Sequence, residues 1–188
     1  MKMKKLYLLV VFVMLVCGSL YSQSNDTGLT RVYRINLLNP GIEYEFPVTE
    51  KAVLSANLGF GLGFPYKALE QSGRGNGFVF MIEPFFDVEY KYLYNFTKRV
   101  EKNRNTKFNS ANYFGIRLLT RGYTIAECNM YRPTNFDFAI APVWGFQRSG
   151  STLHYLMDIG LGYTFDADNS GVVLLIQMSI GLNLNKES

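Results

Sequence analysis

The sequence is poor in the residue types from which catalytic and metal-binding centres are built. Its 188 residues include two cysteines, one histidine and one tryptophan. Removal of the leader described below leaves Cys128 alone, and a lone cysteine cannot form an intramolecular disulfide. No Gly-x-Ser-x-Gly motif occurs, and His154 with Asp158 is the nearest approach to a hydrolase pair. A histidine bonded to its neighbours explains that pair more simply, so we predict no catalytic residue, cofactor, metal or enzymatic activity.

The chain also lacks a strong excess of one charge and a long hydrophobic run. Lysine and arginine number 19, aspartate and glutamate 15, and Lys2, Lys4 and Lys5 account for most of the difference. This near-neutral balance gives no argument for nucleic-acid binding, so no nucleic acid is expected as a partner. Beyond the N-terminus, no apolar run approaches the roughly 18 residues that a membrane-spanning helix needs.

The first 22 residues have the composition of a secretory signal peptide. Three lysines precede an uncharged run over residues 6–17, and small residues follow it. The run is short for a membrane span, which disfavours a retained anchor, and Val16 before Cys17 disfavours lipidation. The predicted organisation is a signal peptide over 1–22, a short N-terminal segment over 23–30, a folded domain over 31–184 and a tail over 185–188.

The sequence instead has a period of two in side-chain character. Residues 52–64 are the clearest case, because even positions are apolar and odd positions are mostly serine, asparagine or glycine. Successive side chains of a strand point to opposite faces, so this pattern predicts a strand with one apolar face. The same pattern predicts five further strands, over residues 78–94, 111–123, 136–147, 153–165 and 172–184.

Residues 31–46 supply either one long strand with a bulge or a hairpin. The apolar positions are odd up to Leu37 and even from Ile42 onwards, and Asn39, Pro40 and Gly41 lie between them. These three residues favour a turn. A hairpin gives eight strands in total and a single strand gives seven; we favour eight, since single-chain bacterial barrels have even strand numbers.

The two faces of the strands predict a membrane barrel rather than a soluble one. A soluble lipocalin-like barrel places its apolar face inward. Here the apolar face is nearly free of charge over six strands, while glycines and charged residues share the other. Small and mutually paired polar side chains suit the narrow interior of an eight-stranded barrel. Aromatic residues near both sets of strand ends are typical of the two membrane interfaces.

The opening of the folded domain carries a local resemblance. Residues 34–45 read Arg-Ile-Asn-Leu-Leu-Asn-Pro-Gly-Ile-Glu-Tyr-Glu. This segment resembles the start of a group of uncharacterised outer-membrane barrels, and the strand pattern resembles the OmpA/OmpX-like superfamily in the broad sense. The resemblance implies an all-β, eight-stranded antiparallel up-and-down transmembrane β-barrel in the outer membrane of a Gram-negative bacterium.

The charged residues of the less apolar face are predicted to form a network inside the barrel. Buried charges need partners, so we expect Glu83, Asp87, Glu89 and Lys91 to pair with arginines of other strands. A gate in a narrow pore, or a proton relay, is the alternative. The predicted network comprises Arg34, Glu43, Glu45, Glu83, Asp87, Glu89, Lys91, Arg117, Arg121, Asp137, His154 and Asp158, with Arg34, Arg117 and Arg121 as the expected partners of the acids.

Function is expected to reside in the loops, since loops on rigid scaffolds carry binding. Residues 65–77 and 124–135 are predicted outer loops that bind a protein partner. The basic connection over 95–110 would suit lipopolysaccharide phosphates if it lay outside and anionic cell-wall polymer if it lay in the periplasm, but a solvated turn explains it more simply. Outer-membrane lipid is the expected surrounding. The preferred role is a structural or surface-interaction barrel without catalysis. The alternatives are a narrow pore for ions or small solutes and an accessory protein of an envelope export system.

Overall fold

The computed structural model describes residues 28–63, 80–128, 135–167 and 169–185. The predicted signal peptide over 1–22 and the predicted outer loop over 65–77 lie outside these ranges. Within them the fold is all-β with almost no helix. No helix in this part of the chain is long and apolar enough to cross a membrane.

Nine strand segments, one short helix and one 3-10 turn make up the described fold. The strands are β1 (Val32–Asn36), β2 (Gly41–Thr49), β3 (Ala52–Gly63), β4 (Phe80–Tyr92), β5 (Ala111–Arg121), β6 (Ala126–Cys128), β7 (Asp137–Ser149), β8 (Leu153–Asp166) and β9 (Ser170–Asn183). Helix α1 (Phe96–Glu101) and the 3-10 turn (Lys107–Asn109) both lie between β4 and β5.

The segments form one ring-like sheet of eight antiparallel strands, as the alternation predicted. Neighbours along the chain pair from β1 to β5, then β5 pairs with β7, β7 with β8, β8 with β9, and β9 returns to β1. Segment β6 continues the pairing of β5 with β4 after an interruption at residues 122–125. It therefore belongs to the same long strand, although the sequence placed residues 124–135 entirely in a connection.

Residues 31–46 form the predicted hairpin. Asn36 is opposite Gly41 in the register of β1 and β2, and Asn39 in the turn has a φ of 58°. Asparagine tolerates this left-handed conformation better than most residues with a side chain. Residues 31–46 therefore form two strands rather than one, which gives the ring eight strands instead of seven.

The strands are strongly staggered around the ring. Following paired residues once around the ring from Asn183, through Arg34 and Glu43, returns to β9 at Gly171 rather than at Asn183. The displacement along β9 is twelve residues. A stagger of this kind accompanies strands that tilt against the ring axis. We call the end where β1 begins and β9 finishes the terminal end, and the end where β8 meets β9 the loop end.

The two faces of the sheet have opposite character. Along β8, buried and exposed residues alternate from Leu153 to Leu161. The buried set faces inward and contains His154 and Asp158, while the exposed set faces outward and contains Ile159 and Leu161. Other strands behave alike, so the ring is polar within and apolar outside.

Candidate functional site

The ring interior gathers the charged residues that the alternation singled out. Eleven of the twelve are buried; the exception is Arg121, whose side chain is 27% exposed. They lie in three clusters along the axis, because their strand positions differ in height. Each cluster joins strands that are not all sequence neighbours.

The first cluster lies near the terminal end and centres on two glutamates of β2. Arg34 of β1 contacts Glu43 at 2.8 Å and Glu45 at 3.4 Å. Lys91 of β4 approaches the same carboxylates, Glu45 at 3.2 Å and Glu43 at 3.6 Å. Two bases therefore neutralise two acids across the ring. Lys91 was expected among the groups that pair with arginine, but its partners are these acids.

The connection between β4 and β5 folds into the terminal end and completes that cluster. The Phe108 carbonyl accepts a hydrogen bond from Arg34 at 3.1 Å, and the Asn109 amide donates to Glu45 at 2.7 Å. Gln147 donates both to Glu45 at 3.1 Å and to the Asn109 carbonyl at 2.9 Å. We call Lys107–Asn109 the terminal plug. Its presence explains why residues 95–110 are longer than a simple turn requires.

The plug also contacts Thr30, just before β1. The Thr30 backbone amide donates to Asn109 Oδ1 at 2.8 Å, and Asn109 Nδ2 donates to the Thr30 carbonyl at 2.8 Å. Phe108 and Asn109 have φ values of 48° and 62°, a region that costs free energy for residues with a side chain. These hydrogen bonds hold that backbone in place.

The second cluster lies near the middle of the ring and has one arginine at its centre. Arg117 of β5 contacts Asp87 of β4 at 2.7 Å and Asp158 of β8 at 3.6 Å. The Tyr113 hydroxyl donates to Asp158 at 3.0 Å. Glu89 approaches Lys91 at 3.9 Å rather than one of the arginines expected from the sequence.

The third cluster lies at the loop end. Arg121 contacts Asp137 of β7 at 2.9 Å and Glu83 of β4 at 3.5 Å. Because the Arg121 side chain is partly exposed, water screens these pairs more than those of the other two clusters.

His154 has a serine partner instead of the aspartate with which the sequence grouped it. Its Nδ1 lies 2.9 Å from the Ser149 hydroxyl, across the β7–β8 hairpin. Both side chains are buried. In the part of the chain that the structure describes, no three His, Cys, Asp or Glu side chains are placed to hold a metal ion.

Several buried polar residues of the interior, among them Gln147, Tyr113 and Asn109, were not part of the predicted network. Gln147 and Tyr113 occupy the inward positions of their strands, so the alternation that selected the charged residues could also have found them. Asn109 lies in an irregular turn without any periodic pattern. Only the folded chain shows that it contacts Glu45.

The basic connection lies at the terminal end, outside the strands. Lys98 and Lys102 are exposed, and the Arg99 guanidinium donates to the Asn105 carbonyl at 2.7 Å. Partial burial, together with the positive charge of Arg104, lowers the pKa of Arg99 from its ordinary value. The connection therefore places positive charge beside the rim where β1 begins and β9 ends.

No family model matches the chain, and no match was found among curated proteins or solved structures. The relation to OmpA/OmpX-like barrels stays a prediction. The proposals below therefore rest on the fold and on its physical chemistry.

Proposed function

We propose that the ring is a transmembrane β-barrel of a Gram-negative outer membrane that acts as a closed structural or surface-interaction protein. The observation that carries this proposal is the inverted polarity of the molecule. Outward side chains such as Ile116, Ile176 and Leu161 are more than half exposed, while Arg34 and Lys91 inside are fully buried. Soluble proteins rarely expose a large contiguous apolar surface. Hydrocarbon is the solvent that stabilises this arrangement.

The distribution of aromatic residues supports the same proposal. Exposed Tyr92, Tyr94 and Tyr155 lie towards the terminal end, and Phe138 and Phe165 lie towards the loop end. The outward positions between them are mostly aliphatic, as at Leu58, Leu118 and Ile159, although Phe86 also lies there. Aromatic rings at both edges of an apolar belt are typical of the two interfaces of a membrane.

A closed interior favours the structural role over the narrow pore. The Lys91–Glu45 and Arg117–Asp158 ion pairs join strands that are not neighbours in the ring, and the terminal plug covers one end. An ion passing through would have to separate these pairs, which is costly in a dry interior. The outer loops would then bind a protein partner. If the chain termini are periplasmic, the basic connection faces anionic lipid headgroups on that side.

Quenching of the single tryptophan tests the membrane assignment. Trp144 is outward and 41% exposed, so phosphatidylcholine brominated in mid-chain should quench its fluorescence after the full chain is refolded into vesicles. The matched control carries Trp144→Phe and Tyr113→Trp, which moves the indole to the packed interior. Unquenched Trp144 in folded protein would contradict the proposal.

Planar-bilayer conductance separates the closed barrel from the pore. The refolded chain should give no steady single-channel current at moderate voltage, because the first two clusters and the plug occupy the interior. A reproducible ohmic conductance from folded protein would favour the pore instead.

A further inference from the structure

A cluster of arginines lies on the outer surface of the ring at the terminal end. Arg148 is the last outward residue of β7 before the β7–β8 hairpin, and its partner in the register of that hairpin is Tyr155. The charge of Arg148 interacts with that of Arg99 in α1, and the charge of Arg99 interacts with that of Arg104. We call Arg99, Arg104 and Arg148 the rim arginines.

Hydrogen bonds to the backbone fix the connection between β4 and β5 beside the end of β7. The Arg99 guanidinium donates to the Asn105 carbonyl at 2.7 Å, and the Asn105 side chain donates to the Ser149 carbonyl at 2.7 Å. The Arg104 backbone amide donates to the Arg99 carbonyl at 2.8 Å. Two of the rim arginines are therefore held next to the strand that carries the third.

Arg148 is held by neutral groups only. Its Nη1 donates to the carbonyls of Ala111 and Gln147, both at 2.7 Å, and its guanidinium carbon lies 5.5 Å from the centre of the Phe146 ring. Among the ion pairs between described residues, none includes a rim arginine. Like charges that lie together repel one another, so a bound anion would stabilise this arrangement.

The rim arginines border the aromatic edge of the outward face. The Phe146 and Tyr155 rings beside Arg148 meet edge to face, with centroids 6.3 Å apart. Trp144 Nε1 donates to the Tyr94 hydroxyl at 3.2 Å, and Trp144, Tyr94 and Tyr155 are each at least 40% exposed. In a membrane barrel, such aromatic residues lie at the depth of the lipid headgroups. The rim arginines lie at the same end of the strands.

We propose that the rim arginines bind the phosphate of an anionic glycerophospholipid in the leaflet at the terminal end, and that its acyl chains lie along the outward face of β7. This inference rests on the proposed membrane location. Guanidinium groups bind phosphate oxygens through paired hydrogen bonds. A lipid phosphate is an anion found at the edge of an apolar belt, and a net negative headgroup offsets clustered basic residues better than a zwitterionic one.

Trp144 reports on this site, because the acyl chains of a lipid held by Arg148 would pass its indole. The full chain is refolded into phosphatidylcholine vesicles with a small, fixed fraction of lipid brominated in mid-chain, either phosphatidylglycerol or phosphatidylcholine. Both leaflets hold the label, so the orientation of the protein does not affect the result. We expect brominated phosphatidylglycerol to quench Trp144 more strongly, with a preference of about fivefold or more, the contribution of one basic residue near an anionic surface.

Paired substitutions separate a binding site from the general charge of the rim. Arg99→Gln with Arg148→Gln should remove the preference for phosphatidylglycerol. The matched control, Arg31→Gln with Lys51→Gln, removes two positive charges from exposed positions at the same end and should retain the preference. Arg104 is also exposed, so Arg104→Gln, which should weaken the preference, replaces the first pair if that pair does not fold.

The outcomes distinguish this proposal from the proposed function. If neither brominated lipid quenches Trp144 in folded protein, the membrane assignment itself is overturned. Equal quenching by the two lipids would overturn the phospholipid site alone. So would a preference that the arginine pair retains, or one that the control pair loses to the same extent.

Two competition experiments test the source of the phosphate. Unlabelled phosphatidylglycerol should reduce the extra quenching, whereas sodium phosphate should have no more effect than sodium chloride of equal ionic strength. A specific loss in sodium phosphate would mean that the rim arginines bind a soluble anion, which overturns the proposal. Displacement by lipid A at a lower mole fraction than by unlabelled phosphatidylglycerol would also overturn it, because the site would then belong to lipopolysaccharide.

Discussion

Replacing Arg117 by alanine removes the only base at the centre of the second cluster. The guanidinium contacts Asp87 at 2.7 Å and Asp158 at 3.6 Å, and its side chain is 7% exposed. Alanine leaves two buried carboxylates without their partner. Breaking a buried pair in this way costs about 3–5 kcal/mol of folding free energy. We expect a loss of that size in the free energy of unfolding of Arg117→Ala.

The matched control is Arg121→Ala at the loop end. Arg121 also contacts two acids, Glu83 and Asp137, but its side chain is 27% exposed. Water reaches this site, and partly exposed pairs are worth under about 1 kcal/mol. Both variants remove an arginine from β5. The difference between their free energies of unfolding therefore reports how far water is excluded from the second cluster.

Urea unfolding in lipid vesicles, followed by Trp144 fluorescence, gives the two free energies. The double variant Arg117→Ala with Asp87→Ala should lose less than the sum of the single losses, because the contact is shared. Equal and small losses for Arg117→Ala and Arg121→Ala would refute the reasoning, since they would mean that water fills the ring at both heights. Such a result would also favour the pore.

Three further predictions concern the outward face, the plug and the strand packing. Ile159→Arg puts a charge on the outward face near mid-wall and should cost about 2–4 kcal/mol in vesicles; no loss relative to Ile159→Val would contradict the lipid contact. Asn109→Gly keeps the left-handed backbone but removes the bonds to Glu45 and Thr30, so protease cleavage within residues 93–110 should become faster, and an unchanged rate would argue against the plug. Gly160→Ala should destabilise by about 1–3 kcal/mol, because its Cβ would overlap the Pro142 carbonyl, whereas Gly171→Ala should be close to neutral in the same unfolding assay.

The strand pattern was predictable because one rule governs it. Side chains such as Leu58 and Asn57 alternate between faces along every strand, and the contrast between the faces is strong throughout the chain. The hairpin was predictable because Asn39, Pro40 and Gly41, which favour a turn, lie where the apolar positions change from odd to even numbers. Local rules therefore lead to eight strands in a ring.

The ion pairs inside the ring were less predictable, because they depend on how far the strands are displaced along one another. Lys91 and Glu45 are 46 positions apart on β4 and β2, strands that do not pair directly. Their contact follows from the tilt of the strands, which no single segment encodes. Asn109 lies in a turn without periodicity, and β1 has 5 residues where its partner β9 has 14. These features depend on how segments of unequal length meet.

In the proposed membrane barrel, the outward face of the ring contacts lipid and the inward face does not. Spin labels placed singly at each position of β8, from Leu153 to Asp166, test it most directly through their accessibility to oxygen, which concentrates in hydrocarbon, and to a water-soluble nickel complex. We expect high oxygen accessibility at Met157, Ile159 and Leu161 and low accessibility to both reagents at Leu156 and Asp158. Outward labels that the nickel complex reaches along the whole strand would contradict the account.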